Sequence, residues 1–390
     1  MHIAMFGWEF PPYMSGGLGV HCYELTNEIA KLGHKIDFYL PYQKNGSIPD
    51  VHENIKIIMI GESELHPYFR ITKKGRTTIY GEDLLKAVFT YASLCTFNAI
   101  QNYYKNKYDV IHCHDWLTAW AGIYLKQAIN KPFIQTIHST EFERTLSPWE
   151  EILRIEKTAT LNADRVIAVS NKTAALLMEK FQVPKEKIRV VYNGVNKERY
   201  NHKEKPKTSI ALQEKKKVLF LGRLTEQKGP VQFLHAAKKV LEKNPDVVFL
   251  VAGSGPLLPF LVNLALELKI NKNVKFLGYL SEEEQRKIYA ACDVFVMPSV
   301  AEPFGIVALE AIASGTPVII SKTSGVSEIL KSALKIEFWD INGMAKKILA
   351  CLKYPVLKKE IVRQCIKEIE PYTWEKTAKE TLEIYKEISN

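Results

Sequence analysis

KVLFLGRLTEQKG, residues 217–229, sets a short apolar run, Val218 to Leu221, directly before a loop that bears Gly222, Arg223, Lys228 and Gly229. Runs this short, bounded by Gly, Pro or Ser and alternating with helical patterns, read as strands of parallel sheets buried on both faces. The same pattern recurs on either side. VVFLVAG (247–253), VKFLGY (274–279), DVFVMPS (293–299) and PVIIS (317–321) follow it. HIAMFG (2–7), KIDFYLP (35–41), DVIHCH (109–114), PFIQTIH (132–138) and RVIAVS (165–170) precede it. Two such series predict two doubly wound, Rossmann-like α/β domains. The polar and basic stretch 196–217, which contains Pro206, reads as the exposed connection between them. The expected division is 1–196, a linker over 197–216, a second domain over 217–372, and a terminal amphipathic helix over 373–390.

Composition narrows the class. A chain of 390 residues with 46% hydrophobic and 25% charged residues is neither a disordered tail, a collagen-like repeat nor a disulfide scaffold. No apolar run reaches the ~18–20 residues of a spanning helix. The opening Met1–Gly7 reads as a core strand rather than a signal peptide. Six cysteines without a Cys-x-x-Cys pair suggest reduced, buried thiols and a cytoplasmic protein. The net charge of +10 admits an anionic small molecule, an anionic membrane surface or a merely solvated lysine-rich face. No zinc-finger spacing, RNA-binding signature or long basic block accompanies it, so nucleic acid is not expected as a partner.

In open α/β sheets ligands gather at the carboxyl ends of strands, so the loops there hold the candidates. Gly16 and Gly17 precede a helix-like run, where backbone can approach a phosphate or simply turn. Neither a dinucleotide fingerprint nor a Walker A pattern is complete there. His112-Cys113-His114-Asp115-Trp116 closes a strand, but no second ligand cluster is visible and a metal is not expected. Asp115 reads as the start or cap of the following helix. His138 closes the next strand, where a structural and a functional role are both open.

Arg223 and Lys228 put two cations five residues apart in a loop leading to a helix, an arrangement suited to clamping a diphosphate. Gly253 ends another strand. Glu302 lies in a loop after a strand and Glu310 inside the next helix, and carboxylates accept the hydroxyls of sugar and ribose. Gly305 brings backbone N–H groups to that helix start.

Together these residues resemble a retaining glycosyltransferase of the large family that includes bacterial and archaeal glycogen and starch synthases. The match rests on Glu302-Pro-Phe-Gly…Glu310, Arg223…Lys228, Gly253-Ser-Gly and Ser15-Gly-Gly-Leu. His112-x-His-Asp-Trp, Thr136-Ile-His138 and Glu9-Phe-Pro-Pro…Val-His21 are similar to glycogen synthases in particular. The resemblance implies a GT-B fold, two Rossmann-like domains facing across a cleft, with the terminal helix crossing back onto the first. It implies that Arg223 and Lys228 hold the donor diphosphate, Glu310 the ribose, and Glu302 with Gly305 the donor sugar and phosphate. His138 would sit beside the transferred sugar, with Gly16, Gly17 and Gly253 near the donor and His114 and Asp115 structural or on the acceptor side.

The expected reaction is retaining hexosyl, more narrowly glucosyl, transfer from a nucleotide sugar to an α-glucan. The alternatives are a lipid-linked or small acceptor at a membrane surface, and a nucleotide-sugar-binding protein without turnover. The nine aspartates include no Asp-x-Asp pair, so no cofactor or essential metal is expected.

Overall fold

The computed structural model describes residues 1–12, 16–42, 51–61, 64–65, 69–72, 75–78, 82–145, 147–200 and 215–389. Two compact units emerge: Met1–Asn193 with Trp374–Asn390, and Gly194–Thr373. The first unit runs β1 (His2–Phe6), α1 (Gly17–Lys31), β2 (Lys35–Pro41), β3 (Ile55–Ile60), β4 (Glu64–Leu65), β5 (Phe69–Thr72), β6 (Gly75–Thr78), α2 (Glu82–Lys105), β7 (Val110–His114) and α3 (Ala119–Ile129). It continues through β8 (Phe133–Ile137), α4 (Glu141–Arg144), α5 (Glu150–Asn162), β9 (Arg165–Ala168), α6 (Asn171–Phe181) and β10 (Ile188–Val190).

Its main sheet has the order β10-β9-β8-β7-β1-β2-β3, and every pairing is parallel. Strands β4 to β6 form a small antiparallel sheet of their own. Side chains of β1 alternate between two cores, as the period of two requires. Ile3 and Met5 join Cys22, Leu25 and Ile29 of α1, whereas Ala4 and Phe6 join Tyr91 and Cys95 of α2 and Leu125 of α3. A strand covered on both faces must be apolar throughout, which is why HIAMF shows no polar alternation.

The second unit comprises α7 (Lys197–Tyr200), β11 (Lys216–Leu221), α8 (Pro230–Leu241), β12 (Val247–Ala252), α9 (Leu258–Glu267), β13 (Val274–Gly278) and α10 (Glu282–Ala291). After these come β14 (Val294–Met297), α11 (Ile306–Ala313), β15 (Val318–Ser321), β16 (Leu334–Ile336), α12 (Ile341–Lys353) and α13 (Pro355–Ile369). Its sheet is again all parallel, in the order β13-β12-β11-β14-β15-β16. The helix α14 (Trp374–Ile388) then packs on α1 in the first unit. It buries Trp374, Ala378, Leu382 and Tyr385, one stripe of a 3.6-residue period. Thr377 Oγ1 adds a hydrogen bond to the carbonyl of Tyr192 at 2.9 Å.

Several expectations need correcting. Lys197–Tyr200, assigned to a linker, form a helical turn of the second unit, because buried Tyr200 donates its phenol to Glu310. Lys216, also assigned to the linker, opens β11, while 201–214 and Met14 and Ser15 of the glycine turn lie outside the described residues. The strands β3, β10 and β16 were not anticipated. All three are edge strands, and β10 and β16 have only three residues each. Among the described residues, no helix is long and apolar enough to cross a membrane.

Candidate functional site

Each main sheet has one point where neighbouring strands send their connections in opposite directions, and ligands of open α/β sheets bind there. In the second unit that point lies between β11 and β14. The loop after β11 carries Arg223 and Lys228, and the loop after β14 carries Glu302 and Gly305. The two are stitched together: Val300 N–H donates to the Gln227 carbonyl at 2.8 Å. Gly325 and Val326, beyond β15, donate to the carbonyls of Glu302 and Phe304 at 2.8 and 2.7 Å.

Within this frame Lys228 Nζ donates to both oxygens of Glu302, each at 2.8 Å. Ser299 Oγ adds a bond to Glu302 Oε2 at 3.0 Å. Glu302 is buried and Lys228 partly so, a setting in which charge-assisted bonds are strong and an unpaired charge is costly. Gly253, at the end of β12, has φ 125°, and a Cβ there would stand 1.9 Å from the Gly222 carbonyl oxygen. Only glycine lets the loops after β11 and β12 approach so closely. Gly305, with φ 109°, starts α11 and leaves that helix's first N–H groups uncovered by a side-chain cap.

Glu310 sits one helix turn into α11, buried. Its Oε1 accepts from Tyr200 at 2.9 Å and its Oε2 from Tyr289 at 3.1 Å. Burial and the adjacent carboxylate hold both phenols protonated, so they act as donors. Glu302 and Glu310 therefore belong to two different hydrogen-bond sets. Tyr200 and Tyr289 escaped the sequence reading because neither lies in a glycine-bounded loop.

In the first unit the reversal lies between β1 and β7. Gly17 opens α1 with Gly16 before it, and a Cβ at Gly16 would meet nothing within 4 Å. Asp115 follows β7 with φ 58°, a left-handed backbone that costs a non-glycine residue about 1–3 kcal/mol. It was expected to begin or cap the next helix, and it does stand at the start of the helical turn Trp116–Thr118, but its side chain makes no cap bond there. Instead its Oδ1 accepts from the backbone N–H of His138 at 2.7 Å and of Ser139 at 3.4 Å, tying the ends of β7 and β8 together.

His112 is structural: Nδ1 pairs with Tyr385 Oη at 2.6 Å and Nε2 with Thr136 Oγ1 at 2.7 Å. His114 Nδ1 and His138 Nε2 lie 3.0 Å apart. A third ring joins them from α1, where His21 packs edge-on to His138 with centroids 4.4 Å apart. The Asn193 side-chain oxygen meets His21 Nδ1 at 2.6 Å. Burial is the main reason all four imidazoles stay neutral; it holds His112 and His138 down to about 3 and His21 and His114 well below the usual range. His21, His114 and His138 each place one ring nitrogen within 4.8 Å of the others. The missing second ligand cluster beside His114 is thus supplied by α1 and by the loop after β8. Sequence spacing gives no sign of it, because 93 residues separate His21 from His114.

The loop carrying His138 is braced from below. Arg144 Nη1 donates to the Ser139 carbonyl at 2.7 Å and to Ser139 Oγ at 3.0 Å. Arg144 also pairs with Glu141 and Glu156, and burial pushes the Glu156 carboxyl up to about 7.

Residues 15–199 match the family described as Glycosyltransferase Family 4, and residues 201–368 match Glycosyl transferases group 1. An uncharacterized glycosyltransferase of Methanocaldococcus jannaschii is 34% identical over 99% of this chain and 98% of its own length. A glycogen synthase of Mycobacterium tuberculosis is 27% identical over 99% of this chain and 94% of its own. The solved sucrose-phosphate synthase of Thermosynechococcus elongatus shares the fold, with a TM-score of 0.80 at 24% identity over 99% of this chain and 98% of that one. This chain is a glycosyltransferase enzyme and belongs to the GT-B family of group 1 and family 4 glycosyltransferases.

Proposed function

We propose that this enzyme transfers a hexosyl group, glucosyl foremost, from a nucleoside-diphosphate sugar to a hydroxyl acceptor with retention at the anomeric carbon. The Lys228–Glu302 pair at the strand reversal of the second sheet carries this reading. Its ammonium suits the donor diphosphate and its carboxylate suits a sugar hydroxyl, so donor binding exchanges one internal ion pair for two ligand contacts. Arg223 is the second cation for the diphosphate, and fixed cations stabilise the charge that grows on the leaving group. Glu310 holds the ribose, because a carboxylate accepts hydroxyl hydrogen bonds. Gly253 and Gly305 supply close backbone approach. In the first unit His138 contacts the transferred sugar, with Gly16 and Gly17 contributing backbone to the donor and His114 and Asp115 fixing the acceptor side. No divalent metal is needed for the transfer, since the cations are side chains. The six free cysteines are buried, which fits work in a reducing, cytoplasmic setting.

An α-glucan is the favoured acceptor, supported by the His112–Trp116 motif and by similarity to the mycobacterial glycogen synthase. A lipid-linked acceptor is the second reading. Phe97 and Tyr104 stand 60% and 72% exposed on α2, and Lys107 lies 4.2 Å over the Tyr103 ring, a basic aromatic face suited to an anionic bilayer. Sedimentation with anionic and neutral liposomes separates the two.

The primary test is thermal denaturation in chelator with ADP-glucose, UDP-glucose, GDP-mannose and UDP-N-acetylglucosamine. It is followed by transfer to a glucan primer and determination of the product's anomeric configuration. One donor at about 100 times its Kd should add about 2.7 kcal/mol of stability. Absence of any shift and of any transfer overturns the reading.

A further inference from the structure

We propose that His21, His114 and His138 form a binding site for a borderline-soft divalent ion of the zinc class, held by three imidazoles in the first unit.

The geometry brings one nitrogen of each ring within 4.8 Å of the others. Tetrahedral zinc with Zn–N bonds of about 2.0–2.1 Å needs nitrogens ~3.4 Å apart. The His114–His138 pair, at 3.0 Å, is already near that value.

A second observation points to a ligand. His21 Nε2 is buried and has no hydrogen-bond partner. An amide oxygen only accepts, so Asn193 Oδ1 fixes the proton of His21 on Nδ1 and leaves Nε2 with a bare lone pair. This is the outer-sphere arrangement that orients metal-binding histidines. A donor set of nitrogen alone disfavours magnesium and calcium, which take oxygen ligands.

An ion here occupies His138, which the proposed function assigns to the transferred sugar, so zinc acts as an inhibitor on that reading. Binding itself does not depend on it.

The test is equilibrium dialysis of the full chain against zinc, with no donor or acceptor present, on wild type, His21→Gln, His138→Gln and Asn193→Ala. Circular dichroism in chelator confirms that each variant is folded. The expected result is one zinc per chain in wild type. His21→Gln and His138→Gln weaken binding by more than about 100-fold and Asn193→Ala by about 10–100-fold. Cobalt should give the visible absorption of a tetrahedral nitrogen site, and magnesium should not compete. Failure of wild type to take up zinc overturns the proposal, as does wild-type affinity in the two histidine variants. Should His21→Gln not fold, His138→Gln and the cobalt spectrum decide the matter. Donor-induced stabilisation in chelator is scored separately, so loss of zinc binding leaves the transferase reading standing.

Discussion

The two strand reversals share a topology and differ in chemistry. In the second unit the loops after β11 and β14 meet through an ion pair, Lys228 to Glu302, with glycines letting the backbones close up. In the first unit, beside the reversal between β1 and β7, the ends of β7 and β8 meet through neutral rings and a strained aspartate. One fold therefore presents fixed charge at one site and uncharged nitrogen donors at the other. Charge suits an ionic ligand; neutral, desolvated imidazoles suit a polyol face or a metal ion.

Acid should break this contrast most strongly. A histidine held neutral inside, with an unfolded value of 6.5, binds fewer protons folded than unfolded. Its stabilisation is complete above 6.5 and is lost as pH falls toward about 3. Between pH 7 and pH 5 His112 should cost about 2 kcal/mol, and His114, also held low by burial, adds to the loss in the same direction. Urea melts in chelator at several pH values measure this, and a flat profile would show that the rings are protonated in the native state.

The charged site is probed by Arg223→Ala and Lys228→Ala. Each should lower kcat by roughly 10²–10³, equivalent to about 2.7–4 kcal/mol. Lys228→Ala also strands Glu302, so its melting temperature should fall and Lys228→Ala/Glu302→Gln should recover part of it. Near-wild-type turnover in both single variants would remove the diphosphate role. Glu310→Ala should weaken donor binding by about 1.5–3 kcal/mol, read by calorimetry with the preferred nucleotide sugar. Unchanged affinity would reduce Glu310 to an anchor for Tyr200 and Tyr289.

The smallest expected effect is Tyr385→Phe, which leaves His112 Nδ1 without its partner from α14. Stability should drop by about 1 kcal/mol with donor affinity unaltered. A change in donor affinity would place α14 nearer the chemistry than its packing suggests.

Much of this was legible before any fold was known. Central strands such as HIAMF and VVFLVA are buried on both faces and must be apolar throughout, so they announce themselves. Edge strands β3, β10 and β16 lack that demand and went unread. In the second unit Arg223, Lys228, Glu302, Gly305 and Glu310 lie on two loop–helix starts, after β11 and after β14, and glycine spacing exposes them. In the first unit the pattern failed. Asp115 looked like a helix cap because a strand-end Asp before a helix normally is one, and only the path of β8 shows that it serves His138.

Sequence alone determined the class of fold, the loops that bear function and the residue types of the ion-pair site, because these follow from local periodicity and backbone geometry. Tertiary structure decided the partners. That Lys228 meets Glu302 74 residues away, that Tyr200 and Tyr289 share Glu310, and that His21 joins His114 and His138 depend on the order in which strands pair. Strand order is settled by long-range burial of apolar faces, and no spacing along the chain records it.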